Sequence, residues 1–352
     1  MREKSPGNGR GIAYFIDFSI QEIPSIVYIA YETGGIIYTD SKTTSTFIKK
    51  DHPKIRVEYL SSIEKIREHM VQSGVKAIIY PDYHIRFFKD LSHVKHILVL
   101  HGQSDKKYGY RKDVLDYDLF FITGKESHDR YEKLGLLKKG TGILIGYPKI
   151  DRVFKGELNK GQELKKLSLS PKNRTVLYAP TWSDKSLNSS WDKFRNAFTS
   201  NIPENVNLIV KLHPNLKRYK EKEVKEFSDM LKPFKNALLI DFVPDIVPVM
   251  AASDILISDV SAVTREYLAF KKPFVFLSRK PKWMWNRQKI ILWKCGEVVV
   301  KPETLWPTVQ KALKEPGKYL DNIERHFRNT FYKPDGKAAI RARDAIFNII
   351  NR

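Results

Sequence analysis

One cysteine, Cys295, stands in the 352 residues, so a disulfide framework within the chain and a zinc site built on cysteines are both excluded. A lone cysteine of this kind reads as a packing residue rather than a nucleophile. No run of about 18 apolar residues occurs, which leaves no transmembrane helix. The opening "MREKSPGNGRG" is polar and is not followed by a signal-type apolar stretch, so a cytoplasmic location is expected. Acidic residues are outnumbered, 40 Asp and Glu against 62 Lys and Arg, for a net charge of +22. That excess draws polyanions: nucleic acid, an anionic membrane surface or phosphate-rich substrates. The basic clusters "KDHPKIR", "KRYKEKEVK" and "GKAAIRAR" lie far apart, with no zinc finger, arginine-rich tail or RNP-type aromatic signature, so nucleic acid is not the expected partner.

What is present is alternation. "GIAYFIDF" (11–18), "GIIYTD", "IRVEYL", "KAIIYP", "HILVL" (96–100), "LFFITG" and "GILIGYP" read as strands. Helical segments lie between several of them, such as "SSIEKIREHMVQSG" with its serine start and glycine stop. "YPKIDRVFKGELNKGQ" breaks the rhythm with Pro and Gly and reads as a linker near 148–158. The alternation resumes with "TVLYAPTW", "NLIVKLHP", "ALLIDF", "DILISD", "PFVFL" and "GEVVV", and three helical stretches finish the chain. Strands alternating with helices predict a parallel sheet covered on both faces. The length exceeds one comfortable core. The expected fold is therefore α/β and GT-B-like: two doubly wound Rossmann-like domains with an interdomain cleft. The first spans 1–150 and the second 151–335, with a closing helix in 336–352 that could pack back on the first.

In such sheets ligands sit at the carboxyl ends of the strands. There the sequence places His101-Gly102, Thr181-Trp182, His213-Pro214, Asp241-Phe242 and Ser258-Asp259-Val260-Ser261. An isolated His-Gly reads first as a strand-end histidine bonded to a local carbonyl, His213 as a turn residue, and Ser261 as a helix N-cap. Taken together, two histidines, several hydroxyls and helix starts suit a phosphate-bearing substrate. Glu266 reads either as a group reaching a ribose or as a solvated face of a helix. Asp241, Asp254 and Asp259 are isolated in sequence, so no protein-held metal is expected.

These segments resemble the CDP-glycerol glycerophosphotransferase family of teichoic-acid primases and polymerases. The resemblance rests on "LHGQSDKKYG", "LIGYPKIDRVF", "VLYAPTW", "VKLHP", "DILISDVSAVTREYLAFKKPFVFL" and "DGKAAIRA", in family order over roughly 95–340. Departures from the pattern fall at Gln103, Ser104, Lys149, Ser183, Val260 and Ala262. The resemblance implies transfer of an alditol phosphate, glycerol phosphate first, from a CDP-activated donor to a hydroxyl of a lipid-linked or glycan acceptor. CMP would be released, in the synthesis of a teichoic-acid-like or capsular surface polymer. It implies catalytic roles for His101, as base, and His213, at the donor diphosphate. It implies donor or phosphate contacts for Thr181, Ser258, Asp259, Ser261, Glu266 and Lys106, with no cofactor beyond the CDP-activated donor as substrate. The family's extra N-terminal region has no room here, so a short or single-transfer enzyme is expected. An anionic membrane surface is an expected partner, with the protein peripheral at the inner face. Trp283, Trp285 and Trp293 among basic residues read either as interfacial anchors or as ordinary packing. The alternatives are a nucleotide-sugar glycosyltransferase or UDP-sugar epimerase on the same fold and, in another class, a non-enzymatic polyanion-binding protein.

Overall fold

The computed structural model describes residues 9–102, 109–182, 189–200, 202–240, 243–259, 261–280 and 291–351. The chain divides into two compact units, one of residues 1–103, 110–155 and 329–352, the other of 104–109 and 156–328.

The first unit runs β1 (Ile12–Phe15), α1 (Ile23–Thr33), β2 (Ile36–Thr39), α2 (Lys42–Asp51), β3 (Arg56–Tyr59), α3 (Ile63–Gln72), β4 (Ala77–Tyr80), β5 (Lys95–Val99), β6 (Leu119–Ile122), α4 (Lys125–Lys133), β7 (Gly142–Leu144) and α5 (Asp151–Phe154). The strands form one sheet in the order β3-β2-β1-β4-β5-β6-β7, with every pairing parallel. Alternate residues of β1 enter opposite cores. Ile12 and Tyr14 join Ile26 and Val27 of α1, while Ala13 and Phe15 join Ile66 and Met70 of α3. This explains the unbroken apolar runs: both sheet faces are covered, and each large apolar side chain taken fully from water contributes about 1.5–3 kcal/mol.

The second unit runs α6 (Lys160–Lys166), β8 (Arg174–Ala179), α7 (Trp191–Thr199), β9 (Val206–Lys211), α8 (Pro214–Tyr219), α9 (Glu221–Leu231), β10 (Ala237–Ile240), α10 (Val247–Ala252), β11 (Ile255–Ser258), α11 (Ala262–Tyr267), β12 (Phe274–Leu277), β13 (Gly296–Val299) and α12 (Leu305–Lys314). Its sheet is parallel throughout, in the order β10-β9-β8-β11-β12-β13. Val176 and Tyr178 pack with Trp191, Phe194, Phe227 and Trp306 on one side. Leu177 and Leu256, pointing the other way, are buried as well. Cys295 is buried, as a packing residue would be. The helix α13 (Leu320–Thr330) carries the chain back, and α14 (Ala338–Ile350) puts Ala342 and Ile346 into the core of the first unit.

The expected linker at 148–158 is corrected in part. Pro148–Ile150 forms a 3-10 turn that leads into α5, and both belong to the first unit. Gly146, just before this segment, and Asp151 within it form a clasp with the residues that open α14. Gly146 has φ +92°, and a Cβ on it would meet the Tyr332 carbonyl oxygen at 2.8 Å. Asp151 accepts from the N–H groups of Ala338 (3.1 Å) and Ala339 (2.9 Å), the first residues of α14. Arg341 donates through Nε to the Ile145 carbonyl at 2.6 Å.

Burial raises the Asp151 carboxyl to about 6, against the two backbone donors and the charges of Lys155 and Arg341. The folded value lies above the ordinary 3.8, so the fold favours the protonated form. That contribution is complete below the ordinary value and is lost as pH rises through the folded one. The unfolding free energy of the protein relative to its Asp151→Asn variant should therefore fall between pH 4 and 7, by at most about 1.4 kcal/mol per pH unit. Denaturant titrations in which that difference stays constant would contradict the assignment.

Candidate active site

The first sheet reverses its strand order between β1 and β4, and the polar residues gather at the carboxyl ends there. Asp17 follows β1, Glu22 ends a 3-10 turn of Ile20–Glu22, Asp82 and His84 follow β4, and His101 follows β5. The Pro81 carbonyl accepts both the backbone N–H of His101 (2.8 Å) and its ring Nδ1 (3.3 Å). Two carboxylates flank the same nitrogen, Asp82 at 3.7 Å and Glu22 at 4.0 Å. Since a carbonyl can only accept, Nδ1 carries the proton, and in the neutral ring Nε2 keeps its lone pair. The local-carbonyl reading of His101 is thus correct, and it leaves the ring as a base. The histidine side chain is 30% exposed, so a substrate can reach it.

Behind it, Glu22 and His84 are buried, with His84 Nε2 at 3.4 Å from Glu22 and 3.9 Å from Asp17. Burial raises the Glu22 carboxyl, and the His84 hydrogen bond and the charges of His101 and His84 only partly offset this. For His84, burial alone would lower the pKa. The hydrogen bond to Glu22 and the charges of Glu22, Asp17 and Asp82 outweigh it, and the net shift is upward. The pair therefore holds a proton more tightly than either group would alone. In two overlapping sets, Asp17–Glu22–His84 and Glu22–Asp82–His101, the ligand-type atoms lie within 4.8 Å of one another, close enough to receive a cation. Sequence spacing gave no sign of this grouping.

The second sheet reverses between β8 and β11. Asp259, 1% exposed, accepts from the Thr181 N–H (3.0 Å), the Ser190 N–H (2.9 Å) and the Ser190 hydroxyl (2.9 Å). Ser189 donates its hydroxyl to the Thr181 carbonyl at 2.7 Å. The Asp259 carboxylate thereby ties the segment after β8 to the loop after β11. Ser258 donates to the Ala179 carbonyl (2.7 Å), and its oxygen lies 3.3 Å from that of Ser261. Ser261 stands at the N-cap position of α11, yet its side chain makes no capping bond. Glu266 is 2% exposed, which overturns the solvated-face reading.

His213 follows β9 as the N-cap of α8, and its Nδ1 accepts the Asn215 N–H at 3.2 Å. In the neutral ring the proton then sits on Nε2, the opposite tautomer to His101. The Trp182 ring lies 6.3 Å from His213 and 6.0 Å from Tyr219, and Tyr219 is 64% exposed. Lys106 lies outside the described residues, as do Gln103, Ser104, Ser183, Asp241, Val260, Trp283 and Trp285. Trp293 is half-buried in a 3-10 turn of Ile291–Cys295.

The structure thus gathers Thr181, Ser258, Asp259 and Ser261 in the second unit and sets His101 among carboxylates in the first. Asp17, Glu22, Asp82, His84, Ser189 and Ser190 were not anticipated. Reading the residues after β1 ("IDFSIQE") and β4 ("PDYH") as strand ends would have found the first four.

Two all-parallel, doubly wound sheets, each with polar groups at its switch point, define the class: a GT-B-like α/β fold. The chain belongs to the CDP-glycerol:poly(glycerophosphate) glycerophosphotransferase family, whose model matches residues 30–348. It is 26% identical over 221 residues to the teichoic acid glycerol-phosphate primase of Bacillus spizizenii, covering 62% of this chain and 55% of that protein. The primase of Bacillus subtilis is 29% identical over 168 residues, covering 47% and 41%. The chain spans about half the length of the curated relatives it matches. Among solved structures, the wall teichoic acid polymerase TagF superposes with a TM-score of 0.70 at 16% identity, covering 97% of this chain and 89% of that one. A UDP co-structure of S. aureus MnaA gives 0.66 at 14%, covering 97% and 96%. At these identities the likeness shows the fold.

Proposed function

We propose that this protein transfers glycerol phosphate from CDP-glycerol to a hydroxyl of a lipid-linked or glycan acceptor, releasing CMP, in the synthesis of a teichoic-acid-type polymer. The family membership supports the donor and the reaction class. The observation that carries the roles is the opposite tautomers of the two histidines. His101 Nε2, with its lone pair, takes the proton of the acceptor hydroxyl. The acceptor oxygen bonds to the β-phosphorus, the bond from that phosphorus to the bridging oxygen breaks, and its electron pair leaves with CMP. His213 Nε2–H donates to the diphosphate as charge grows on the leaving group, with the hydroxyls of Ser261 and Thr181 as further phosphate contacts, while Ser258, whose proton goes to the Ala179 carbonyl, holds the loop in place. Lys106 and Glu266 complete the proposed donor-binding set. The mechanism draws on no cofactor.

A donor panel tests this reading. CDP-glycerol, CDP-ribitol and UDP-sugars are offered with a crude lipid-linked acceptor, and the nucleotide product is identified. CMP from CDP-glycerol supports it, CMP from CDP-ribitol alone changes the alditol, and UDP from a sugar donor refutes it. No helix among the described residues is long and apolar enough to cross a membrane. With its +22 charge, the protein would reach a lipid-linked acceptor by surface attraction, at about 1 kcal/mol per basic residue near anionic lipid. It should co-sediment with phosphatidylserine-containing vesicles at low salt and remain in solution with neutral ones. Equal binding to both would contradict that attraction.

A further inference from the structure

We infer that Glu22, held in place by His84, is a positioning residue for His101, and that with Asp82 it stabilises the imidazolium that forms when His101 accepts the acceptor's proton. This rests on the reading of His101 as the base. The Pro81 carbonyl fixes the ring and its tautomer, but a neutral carbonyl offers little to the positive charge that appears during the reaction. The two carboxylates at 3.7 and 4.0 Å from Nδ1 supply the opposite charge. They differ in setting: the Asp82 side chain is 35% exposed and that of Glu22 only 2%. A charge shielded from water acts more strongly at the same distance, so Glu22 is the larger influence.

A buried carboxylate needs a partner, and His84 provides it at 3.4 Å while stacking on Phe87 and meeting the edge of Phe15. The groups facing Glu22 are Asp17 after β1, Asp82 and His84 after β4, and His101 after β5; Asp40, after β2, faces Asp17 and His84. The proton path is complete: the acceptor hydroxyl loses its proton to His101 Nε2, and Nε2 returns it to solvent after CMP has left. Glu22 takes part in no bond that forms or breaks.

The test compares Glu22→Gln, Asp82→Asn and His101→Ala in the full chain, with CMP release from CDP-glycerol as the readout. Glu22→Gln is nearly isosteric and should stay folded, with a lowered melting temperature because buried His84 loses its charged partner, and should keep the donor KM while kcat falls about 10- to 100-fold. The acid limb of its rate profile should move to lower pH, because the imidazolium has lost a stabilising charge. Asp82→Asn, nearer the solvent and safer for folding, should show the same pattern with a smaller loss. In the His101→Ala background, Glu22→Gln should cost nothing further. Two outcomes overturn the inference: a Glu22→Gln rate and pH profile like those of the parent beside an inactive His101→Ala, or chelator-sensitive turnover restored by Mg²⁺, which would give the carboxylates to a cation. A folded, fully active His101→Ala sinks the underlying reading instead, so the two failures are told apart.

Discussion

Replacing His101 with alanine should leave a folded protein whose turnover of CDP-glycerol falls by about 10²- to 10⁴-fold, the usual contribution of one general base. The side chain makes a single described hydrogen bond, to the Pro81 carbonyl, and that carbonyl keeps the backbone N–H of residue 101 as a partner. Little stability is therefore at stake, and the melting temperature should hardly move. The donor KM should be nearly unchanged as well, because the proposed role lies with the acceptor. Stopped assays of CMP release, run beside a thermal melt, check both halves. Near-normal turnover in a folded variant would remove His101 from catalysis.

Asp259→Ala should act in the opposite way, through structure. The carboxylate is 1% exposed and receives the Thr181 N–H, the Ser190 N–H and the Ser190 hydroxyl. Alanine would strand these buried donors, at about 1–3 kcal/mol for each left without a partner. A loss of roughly 3 kcal/mol or more is expected, together with a raised donor KM as the segments carrying Thr181 and Ser190 come apart. Asp259→Asn retains one acceptor oxygen and should lose less. Burial, followed by the charge of Asp259, raises the Tyr178 hydroxyl, so the aspartate is felt electrostatically within the core too. Urea titration gives the stability. An alanine variant as stable as the parent would mean that the hydroxyls are held by other means.

Much of this molecule is legible in its sequence because buried parallel strands announce themselves. β1 ("IAYF"), β4 ("AIIY"), β11 ("ILIS") and β12 ("FVFL") are short apolar runs, each buried along its whole length. The helix α2, "KTTSTFIKKD", was not anticipated. Its threonines are weak helix formers, and it stands because Ser41 caps Thr44 and Ile48 reaches the core. Strand-end reasoning located His101, Thr181, His213 and the loop from Ser258 to Ser261. It could not show that Glu22 stands behind His101, since β1 and β5 are brought together only by the strand order β1-β4-β5. Nor could it show that Asp151 closes on Ala338, 187 positions away in sequence. "GYPKID" and "DGKAAIRA", two of the segments that carry the family resemblance, are thus the two sides of one structural clasp.

The most direct test follows phosphorus. A ³¹P NMR record of the protein acting on CDP-glycerol, with a lipid-linked acceptor, shows which bond breaks. Attack at the β-phosphorus predicts a CMP phosphomonoester resonance rising together with a new phosphodiester on the acceptor. CDP as the nucleotide product, with no new phosphodiester, would mean that glycerol rather than glycerol phosphate had moved, and would contradict phosphoryl transfer by this protein.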